Sequence, residues 1–139
     1  MKIYIASSWK NYHGVELLTW HLEKAGHEVL SFVRKAVADE GRTNLKFDVE
    51  AWIMSESGAD KFAYDVISAT TADLLIYLGP SGVDAWAEVG AAYASGVPIY
   101  ALWTKGEQAG LMRRMAAWFK DVFELLEAVE VKANDTDEP

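Results

Sequence analysis

The sequence predicts a three-layer α/β sandwich, in which a mostly parallel five-stranded sheet is flanked by helices. Short apolar runs typical of buried strands alternate along the chain with longer segments of helical spacing. The strongest run, DLLIYL at residues 73–78, is apolar after its first residue, as strands buried on both faces of a parallel sheet are. The 139 residues contain no repeat and no low-complexity linker, so we predict one domain at 1–132 and an acidic tail at 133–139.

The chain begins with a pattern typical of a β-α-β unit. Residues 2–6 are a short apolar run that ends at two serines, which indicates a buried strand. Residues 15–25 have helical spacing, and Gly26 stands where a helix commonly ends. Residues 27–33 indicate a second strand, which we expect to be parallel to the first.

The middle of the chain indicates a loop and two helices. The polar residues 34–44 predict the loop, residues 47–55 a short helix and residues 59–71 a longer one. On the longer helix the spacing of small and apolar residues predicts a buried face. The members of that face are Ala59, Phe62, Ala63, Val66 and Thr70.

The second half of the chain contains the clearest elements. After the third strand, residues 79–82 (GPSG) predict a turn and residues 84–95 a helix rich in small residues. Residues 99–103 predict a fourth strand. We expect a helix at 111–118, followed at 119–131 by a short fifth strand and a last helix.

Composition excludes several classes of function. The formal net charge is −8, and apart from Arg113-Arg114 the sequence shows mainly scattered Lys and Arg. Because non-specific binding of nucleic acid needs clustered Lys and Arg, we expect no nucleic-acid partner. The absence of cysteine excludes disulfides and thiolate metal sites and fits a cytoplasmic location, which we predict. No segment approaches the roughly 20 apolar residues of a membrane span, so we expect no membrane partner.

The sequence lacks familiar motifs for cofactors and metals. GPSGVDAWAE does not have the Lys-Ser/Thr ending of a P-loop, and there is no G-x-G-x-x-G and no G-x-S-x-G. His13, His21 and His27 do not have the spacing of metal ligands. We expect His21 on a helix surface and His27 at a strand edge, and we predict neither a cofactor nor a metal.

Three segments follow predicted strands and are candidates for a binding cleft. In open parallel sheets, ligands bind beyond the carboxyl ends of the strands. The segments are residues 6–9 (ASSW), 79–82 (GPSG) and 103–106 (WTKG), each with small or polar side chains. We expect the three to line one cleft.

The segment GPSG is the most informative of the three. Gly79 and Gly82 allow a ligand to approach the backbone closely. Ser81 is placed to cap the following helix, with Asp84 three residues on as a partial capping box. The free N–H groups of that helix start favour a phosphate or another anion. A plain helix cap without a ligand is the alternative.

Glu88 is the strongest candidate for a catalytic carboxylate. It lies four residues after Asp84, so both carboxylates share one helical face, in a helix that offers few cationic partners. From the residues alone, a solvated surface carboxylate and a nucleophile or general base both remain open. At a sugar such a nucleophile attacks the anomeric carbon. Asp73, in contrast, opens its strand, which predicts a position at the opposite edge of the sheet.

Three segments together resemble the nucleoside 2-deoxyribosyltransferase-like superfamily, which includes deoxynucleoside monophosphate N-glycosidases and pyrimidine-nucleotide hydrolases. They are IYIASSWKN, AGHEVLSF and TADLLIYLGPSGVDAWAEVGAAYASGVPIYAL, and the resemblance covers roughly residues 2–115. It implies a flavodoxin- or Rossmann-like fold and cleavage or transfer of the N-glycosidic bond of a nucleoside or nucleoside 5′-monophosphate. It also implies a homo-oligomer, in which a neighbouring subunit completes the pocket.

The resemblance assigns roles to individual residues. Glu88, in the E-x-G-x-A helix, matches the glutamate nucleophile, and Asp73 matches an aspartate that shapes the sugar site. The serine-glycine loop would bind the 5′-hydroxyl or 5′-phosphate side of the substrate. The candidate substrate-binding residues are Ala6, Ser7, Ser8, Trp9, Tyr12, Gly79, Pro80, Ser81, Gly82, Asp84 and Met112.

The pattern also departs from part of this superfamily. Transferases carry an aspartate six residues before the glutamate, where this chain has Gly82, so the loop is closer to the hydrolase-like branches. One alternative is a non-catalytic nucleotide-binding or sensing module with the same fold. Another is a phosphoribohydrolase of the lysine-decarboxylase-like fold, whose P-G-G-x-G-T-x-x-E loop is similar to GPSGVDAWAE. The missing threonine and second glycine count against it.

Overall fold

A parallel five-stranded sheet forms the centre of the molecule. The computed structural model describes residues 1–35, 49–108 and 110–136. In these residues the strands are β1 (Lys2–Ser7), β2 (Glu28–Ser31), β3 (Leu74–Leu78), β4 (Ile99–Leu102) and β5 (Ala117–Phe119). The helices are α1 (Tyr12–Lys24), α2 (Val49–Ile53), α3 (Glu56–Thr71), α4 (Val83–Ala94) and α5 (Val122–Thr136). The predicted α/β class is confirmed.

Helices cover both faces of the sheet, because neighbouring residues of each strand point to opposite sides. Ile3 and Ile5 of β1 belong to the core cluster that includes α1 and α5. Tyr4 and Ala6 belong to a second cluster that includes α3 and α4. That second layer is built from small helical residues, which allow the helices to pack near the sheet. They are Ala69, Ala85, Val89 and Ala92.

The strand order is β2-β1-β3-β4-β5, and all pairs are parallel. The chain moves outward from β1 to β2 and then returns to β3 on the other side of β1. The connections after β1 and β3 therefore leave the sheet in different directions, which in open parallel sheets is where ligands bind beyond the carboxyl ends of the strands. This is the edge of the sheet at which the sequence predicts a cleft.

Gly26 ends α1 as predicted, with a φ of 95° that other residues rarely adopt. Three other predictions need correction. The segment 111–118 is not a helix: Leu111–Met115 is a 3-10 turn and the chain then enters β5, which pairs with β4. Residues 32–35 are helical instead of strand or loop. Helix α5 continues to Thr136, through the first residues of the predicted tail.

Helix α3 turns a different face to the core than the spacing predicts. Ala59, Phe62 and Ala63 are exposed, and Phe62 retains 70% of its accessible surface. The buried residues are Gly58, Ser68 and Ala69. A Cβ at Gly58 would lie 2.1 Å from the carbonyl oxygen of Trp52, so the contact with α2 sets how the helix is rotated. The predicted loop at 34–44 and the start of the 47–55 helix lie largely outside the described residues.

Candidate active site

Tyr4 and Glu88 form the centre of the candidate site. Tyr4 is fully buried on the α3/α4 side of β1, and its hydroxyl donates a hydrogen bond to Glu88 Oε1. The pKa of Glu88 is raised to about 7, chiefly by burial and also by the charges of Asp65 and Asp84. The hydrogen bond from Tyr4 and the charge of Lys61 act on this pKa in the opposite direction. Glu88 is therefore a carboxyl group that titrates near neutral pH.

Asp65 contributes a second carboxylate from α3. Its Oδ1 lies 3.5 Å from Lys61 Nζ, yet this buried oxygen has no hydrogen-bond donor among the described residues. Burial raises the pKa of Asp65, while Lys61 lowers it. Burial and the nearby charges of Glu88 and Asp65 also raise the pKa of the Tyr4 hydroxyl. Lys61 is ion-paired with Asp65 Oδ1, and the Tyr4 hydroxyl also contributes a hydrogen bond to the Asp65 carboxyl group.

The structure does not bring Asp73 into this cluster. Its Oδ2 accepts a hydrogen bond from the Lys2 amide at 2.8 Å, at the amino end of β1. Its own amide donates to the Lys2 carbonyl, also at 2.8 Å. These contacts give Asp73 a role in holding β1 against β3. The sequence reasoning missed Asp65, although its position four residues after Lys61 on the face that carries Ser68 and Ala69 was a usable signal.

The loop after β1 is joined to the loop after β3 by side-chain hydrogen bonds. Ser7 Oγ donates to the Leu78 carbonyl at 2.5 Å. Asn11 Nδ2 donates to the Pro80 carbonyl at 2.9 Å and to Ser7 Oγ at 3.2 Å. Asn11 was not a sequence candidate. Its hydrogen bonds hold the loop after β1 against the loop after β3.

The other candidates in the first loop have different surroundings. Ala6 is buried in the sheet, and Ser8 accepts a hydrogen bond from the Lys10 amide at 3.2 Å. Trp9 and Tyr12 keep 41% and 39% of their surface exposed. Trp9 also packs edge-on against Phe32, with ring centroids 5.1 Å apart. These two aromatic side chains are accessible to a ligand at the carboxyl-end edge of the sheet.

Ser81 does not cap α4, contrary to the sequence prediction. The N-cap is Gly82, without a side-chain cap, and Asp84 lies in the first turn. Ser81 Oγ instead lies 2.8 Å from Tyr77 Oη. Ser81 is thus engaged with Tyr77 of β3, and the N-cap of α4 provides no side-chain acceptor for the first N–H groups of the helix.

The loop after β4 contacts the same region through Glu107, a residue that the sequence did not single out. Glu107 Oε2 accepts a hydrogen bond from Tyr77 Oη at 2.6 Å, and Oε1 accepts one from Trp86 Nε1 at 3.2 Å. The rings of Tyr77 and Trp86 lie 4.8 Å apart. Burial and the Glu107 carboxylate raise the pKa of Tyr77.

The 3-10 turn after this loop carries the remaining candidates. Met112 is 61% exposed. Arg113 Nη2 donates to the Glu107 carbonyl at 3.2 Å, and its guanidinium lies 5.3 Å from the centre of the Trp118 ring. In the described part of the chain, no group of three or more His, Asp and Glu side chains is placed to hold a metal ion. No helix of these residues is long and apolar enough to cross a membrane.

The fold is similar to solved structures of nucleoside-processing enzymes. A 2-deoxyribosyltransferase from Bacillus psychrosaccharolyticus aligns with a TM-score of 0.65 and 23% identity over 90% of each chain. The CMP N-glycosidase BcmB of Clostridium botulinum aligns with a TM-score of 0.58 and 17% identity, over 94% of this chain and 99% of that one. A conserved protein from Enterococcus faecalis V583 aligns with a TM-score of 0.54 and 20% identity, over 94% of this chain and 74% of that one.

No family model matches the sequence, and no curated protein matches it. The structural likenesses show that the chain has a nucleoside 2-deoxyribosyltransferase-like fold, as the resemblance predicts.

Proposed function

We propose that this protein cleaves or transfers the N-glycosidic bond of a nucleoside or nucleoside 5′-monophosphate, with Glu88 as the nucleophile. The observation that carries the proposal is the partly buried Glu88 carboxylate, which Tyr4 holds by a hydrogen bond beside a second carboxylate, Asp65. The fold, shared with a deoxyribosyltransferase and a CMP N-glycosidase, supports it.

The reaction follows from the properties of Glu88. In its ionised form, an oxygen of the carboxylate attacks C1′ of the sugar, and the C1′–N bond breaks with its electron pair leaving on the base. A covalent glycosyl-enzyme results, with one ester bond between Glu88 and C1′. Water hydrolyses this ester, or a second base displaces Glu88 from C1′. The first outcome is hydrolysis and the second is transfer.

Asp65 has two tasks in this proposal. Its second negative charge stabilises the positive charge that develops on the sugar ring in an oxocarbenium-like transition state. Its buried Oδ1, whose described partner is the ion pair with Lys61 at 3.5 Å, accepts a hydrogen bond from a sugar hydroxyl. Tyr4 is a positioning residue, because it fixes the Glu88 oxygen that it binds.

Base release tests the proposal directly. The protein is incubated with a panel of ribo- and deoxyribonucleosides and their 5′-monophosphates, and free base is measured by chromatography. Mass spectrometry of the intact chain then shows whether a pentosyl adduct forms on Glu88. We expect Glu88→Gln to lower kcat/KM at least ~10³-fold, as the loss of a nucleophile does.

Asp60→Asn is the control, since it removes an exposed carboxylate of α3 that has no role in the proposal. We expect a much smaller loss from this variant. Base release by Glu88→Gln at the rate of the parent protein would refute the proposed role. Binding of the panel without any base release would instead identify a non-catalytic nucleotide-binding module.

A further inference from the structure

A lysine side chain reaches the carboxyl groups of the candidate site from within α3. Lys61 lies one turn before Asp65, and its Nζ is 3.5 Å from Asp65 Oδ1. The Lys61 side chain retains 14% of its exposure and the Asp65 side chain 21%. Burial of a lysine to this degree is uncommon, because its ammonium group is strongly hydrated in water. The positive charge of Lys61 is therefore kept inside the site instead of in solvent.

Phe32, which follows β2, holds this ammonium group in place. Lys61 Nζ donates a hydrogen bond to the Phe32 carbonyl at 3.2 Å and lies 5.6 Å from the centre of the Phe32 ring. Phe32 is itself buried and packs edge-on against Trp9. Lys61 thus contacts a carboxylate, a carbonyl and an aromatic face, which together fix a side chain that is otherwise flexible.

Stability of α3 does not account for the ion pair between Lys61 and Asp65. On an exposed helix surface, a lysine and an acid four residues apart contribute little, and less when the lysine comes first, as it does here. When both charges are buried, the cost of desolvating them often offsets the attraction between them. The pair does, however, change the charge balance of the site.

The site holds more acidic groups than Lys61 alone can neutralise. Burial raises the pKa of both Asp65 and Glu88, and the charge of Asp84 raises both further. The charge of Asp65 also raises the pKa of Glu88. Lys61 acts in the opposite direction on both carboxyl groups, since its charge lowers their pKa values.

The other titratable groups around the two carboxyl groups cannot replace this charge. The Tyr4 hydroxyl donates its one proton to Glu88, and burial raises its pKa, so it stays uncharged. Burial raises the pKa of Tyr64 as well. Lys35 Nζ lies 5.5 Å from the centre of the Tyr64 ring, and its charge acts on that tyrosine. Among the described residues, the compensation of the carboxylates therefore depends on Lys61.

We propose that Lys61 is a positioning residue, whose ammonium group allows Asp65 and Glu88 to be ionised together near neutral pH. Without this cation, two carboxyl groups in one partly buried site take up a proton between them, because like charges repel strongly there. The inference rests on the proposed function for the use of this double charge, namely attack at C1′ and stabilisation of the sugar cation. Lys61 acts through the carboxylates and does not touch the reacting atoms.

The pH dependence of the reaction tests this role. In the parent protein kcat/KM should rise with pH through about 7, as Glu88 ionises. In Lys61→Met, which keeps an unbranched side chain without its charge, the rise should occur at least about one pH unit higher. At pH 7 this lowers kcat/KM about fivefold or more, and the value should return towards the parental one at higher pH. An equal loss at every pH would mean that Lys61 is merely structural, and the inference would be overturned.

Three variants complete the comparison. Lys61→Arg keeps the positive charge, so kcat/KM should rise over the parental pH range. Lys61→Gln keeps a donor for the Phe32 carbonyl without the charge, so it should behave like Lys61→Met and replaces that variant if it folds poorly. Lys24→Met removes an exposed cation of α1, on the other face of the sheet, and should leave the pH range unchanged. A parental pH range in the neutral variants of Lys61 would overturn the inference.

Titration of Glu88 itself separates this inference from the proposed reaction. The carboxyl resonances of isotope-labelled glutamate are followed against pH by NMR, and the one lost in Glu88→Gln belongs to Glu88. We expect its midpoint at about 7 in the parent protein and at least about one unit higher in Lys61→Met. That shift supports the inference even if the parent protein releases no base, a result that would refute the proposed reaction alone. An unchanged midpoint overturns the inference and leaves the proposed reaction standing.

Discussion

At the scale of single residues, ionisation of the partly buried Glu88 makes the free energy of unfolding depend on pH. A carboxyl group whose pKa is raised from 4.5 to about 7 is protonated more readily in the folded chain than in the unfolded chain. Below the unfolded pKa the group is neutral in both states and costs nothing. As the pH rises from 4.5 to about 7, ionising Glu88 costs more free energy in the folded chain than in the unfolded chain, so stability falls. Above about 7 the cost is complete.

Replacing Glu88 by glutamine should therefore stabilise the protein at pH 8. The amide keeps an acceptor for Tyr4 but carries no charge, and the expected gain is about 1–3 kcal/mol. Thermal melting at pH 5 and at pH 8 checks this, with the larger increase in Tm expected at pH 8. An equal increase at both pH values would mean that ionisation of Glu88 is not its cause.

Tyr4→Phe should change the pH dependence of the reaction. The hydrogen bond from Tyr4 lowers the pKa of Glu88, so its removal raises that pKa above about 7. Because the nucleophile must be ionised, kcat/KM should rise with pH through about 7 in the parent protein and at higher pH in the variant.

Tyr77→Phe is the control for this profile, since the Tyr77 hydroxyl contacts Ser81 and Glu107 instead of Glu88. In Tyr77→Phe, kcat/KM should rise over the same pH range as in the parent protein, even if its absolute value changes. If kcat/KM of Tyr4→Phe rises over the parental pH range, or at lower pH, the proposed role of the hydrogen bond is contradicted.

The sequence identified some site residues and missed others for a physical reason. Glu88 stands out locally, as a carboxylate in a helix of small residues that follows a glycine-containing turn. Tyr4 looks like any core residue in an apolar strand, and only its contact with Glu88, 84 positions away, gives it a role. Ser81 has the sequence position of a helix cap, but it pairs with Tyr77. Tyr77 in turn is hydrogen-bonded to Glu107, 30 positions away. Such pairings are made by the fold.

At the scale of elements, the junction of α2 and α3 determines the position of Asp65. Ser55 caps α3 by accepting a hydrogen bond from the Gly58 amide at 3.1 Å, and its hydroxyl donates to the Trp52 carbonyl at 2.6 Å. Gly58 is pressed against that same carbonyl. The spacing of apolar residues could not reveal this contact, and it predicted the Phe62 face as the buried one. A fifth strand was predicted, but within 119–131; it lies at Ala117–Phe119, because pairing with β4 overrides the helix-like pattern of 111–118.

Gly58→Ala should destabilise the protein although it lies in a helix. Alanine normally stabilises a helix interior by about 1 kcal/mol relative to glycine. Here its Cβ would lie 2.1 Å from the Trp52 carbonyl oxygen and 2.9 Å from that of Ile53, so α3 must shift away from α2. We expect a net loss of more than about 1 kcal/mol in urea unfolding.

Gly90→Ala supplies the comparison, because a Cβ at this position of α4 would have no other described atom within 4 Å outside its own helix backbone and chain neighbours. This variant should be neutral or slightly stabilising. A stable Gly58→Ala protein would show that the α2–α3 junction does not set the rotation of α3.

At the scale of the whole molecule, the parallel order β2-β1-β3-β4-β5 places the loops after β1, β3 and β4 side by side. Alternating strands and helices were enough to predict the fold class and to propose the carboxyl-end edge of the sheet as the binding site. The strand order, and with it the contact between Glu107 and the GPSG segment, depends on long-range pairing. The homo-oligomer stays a prediction, which light scattering in solution can check.

Ligand binding should stabilise the whole chain, because a substrate that spans these loops binds the folded state alone. A nucleoside at 100 times its Kd adds about 2.7 kcal/mol to the free energy of unfolding. Glu88→Gln is the suitable chain for this measurement, since it keeps the pocket and does not consume the ligand. We expect nucleosides to raise its Tm in a concentration-dependent manner, and the free sugar and free base to do so less. A catalytic protein shows this shift together with base release by the parent chain, whereas a sensing module shows the shift alone. No shift with any nucleoside or monophosphate would argue against a nucleoside site at the carboxyl ends of β1 and β3.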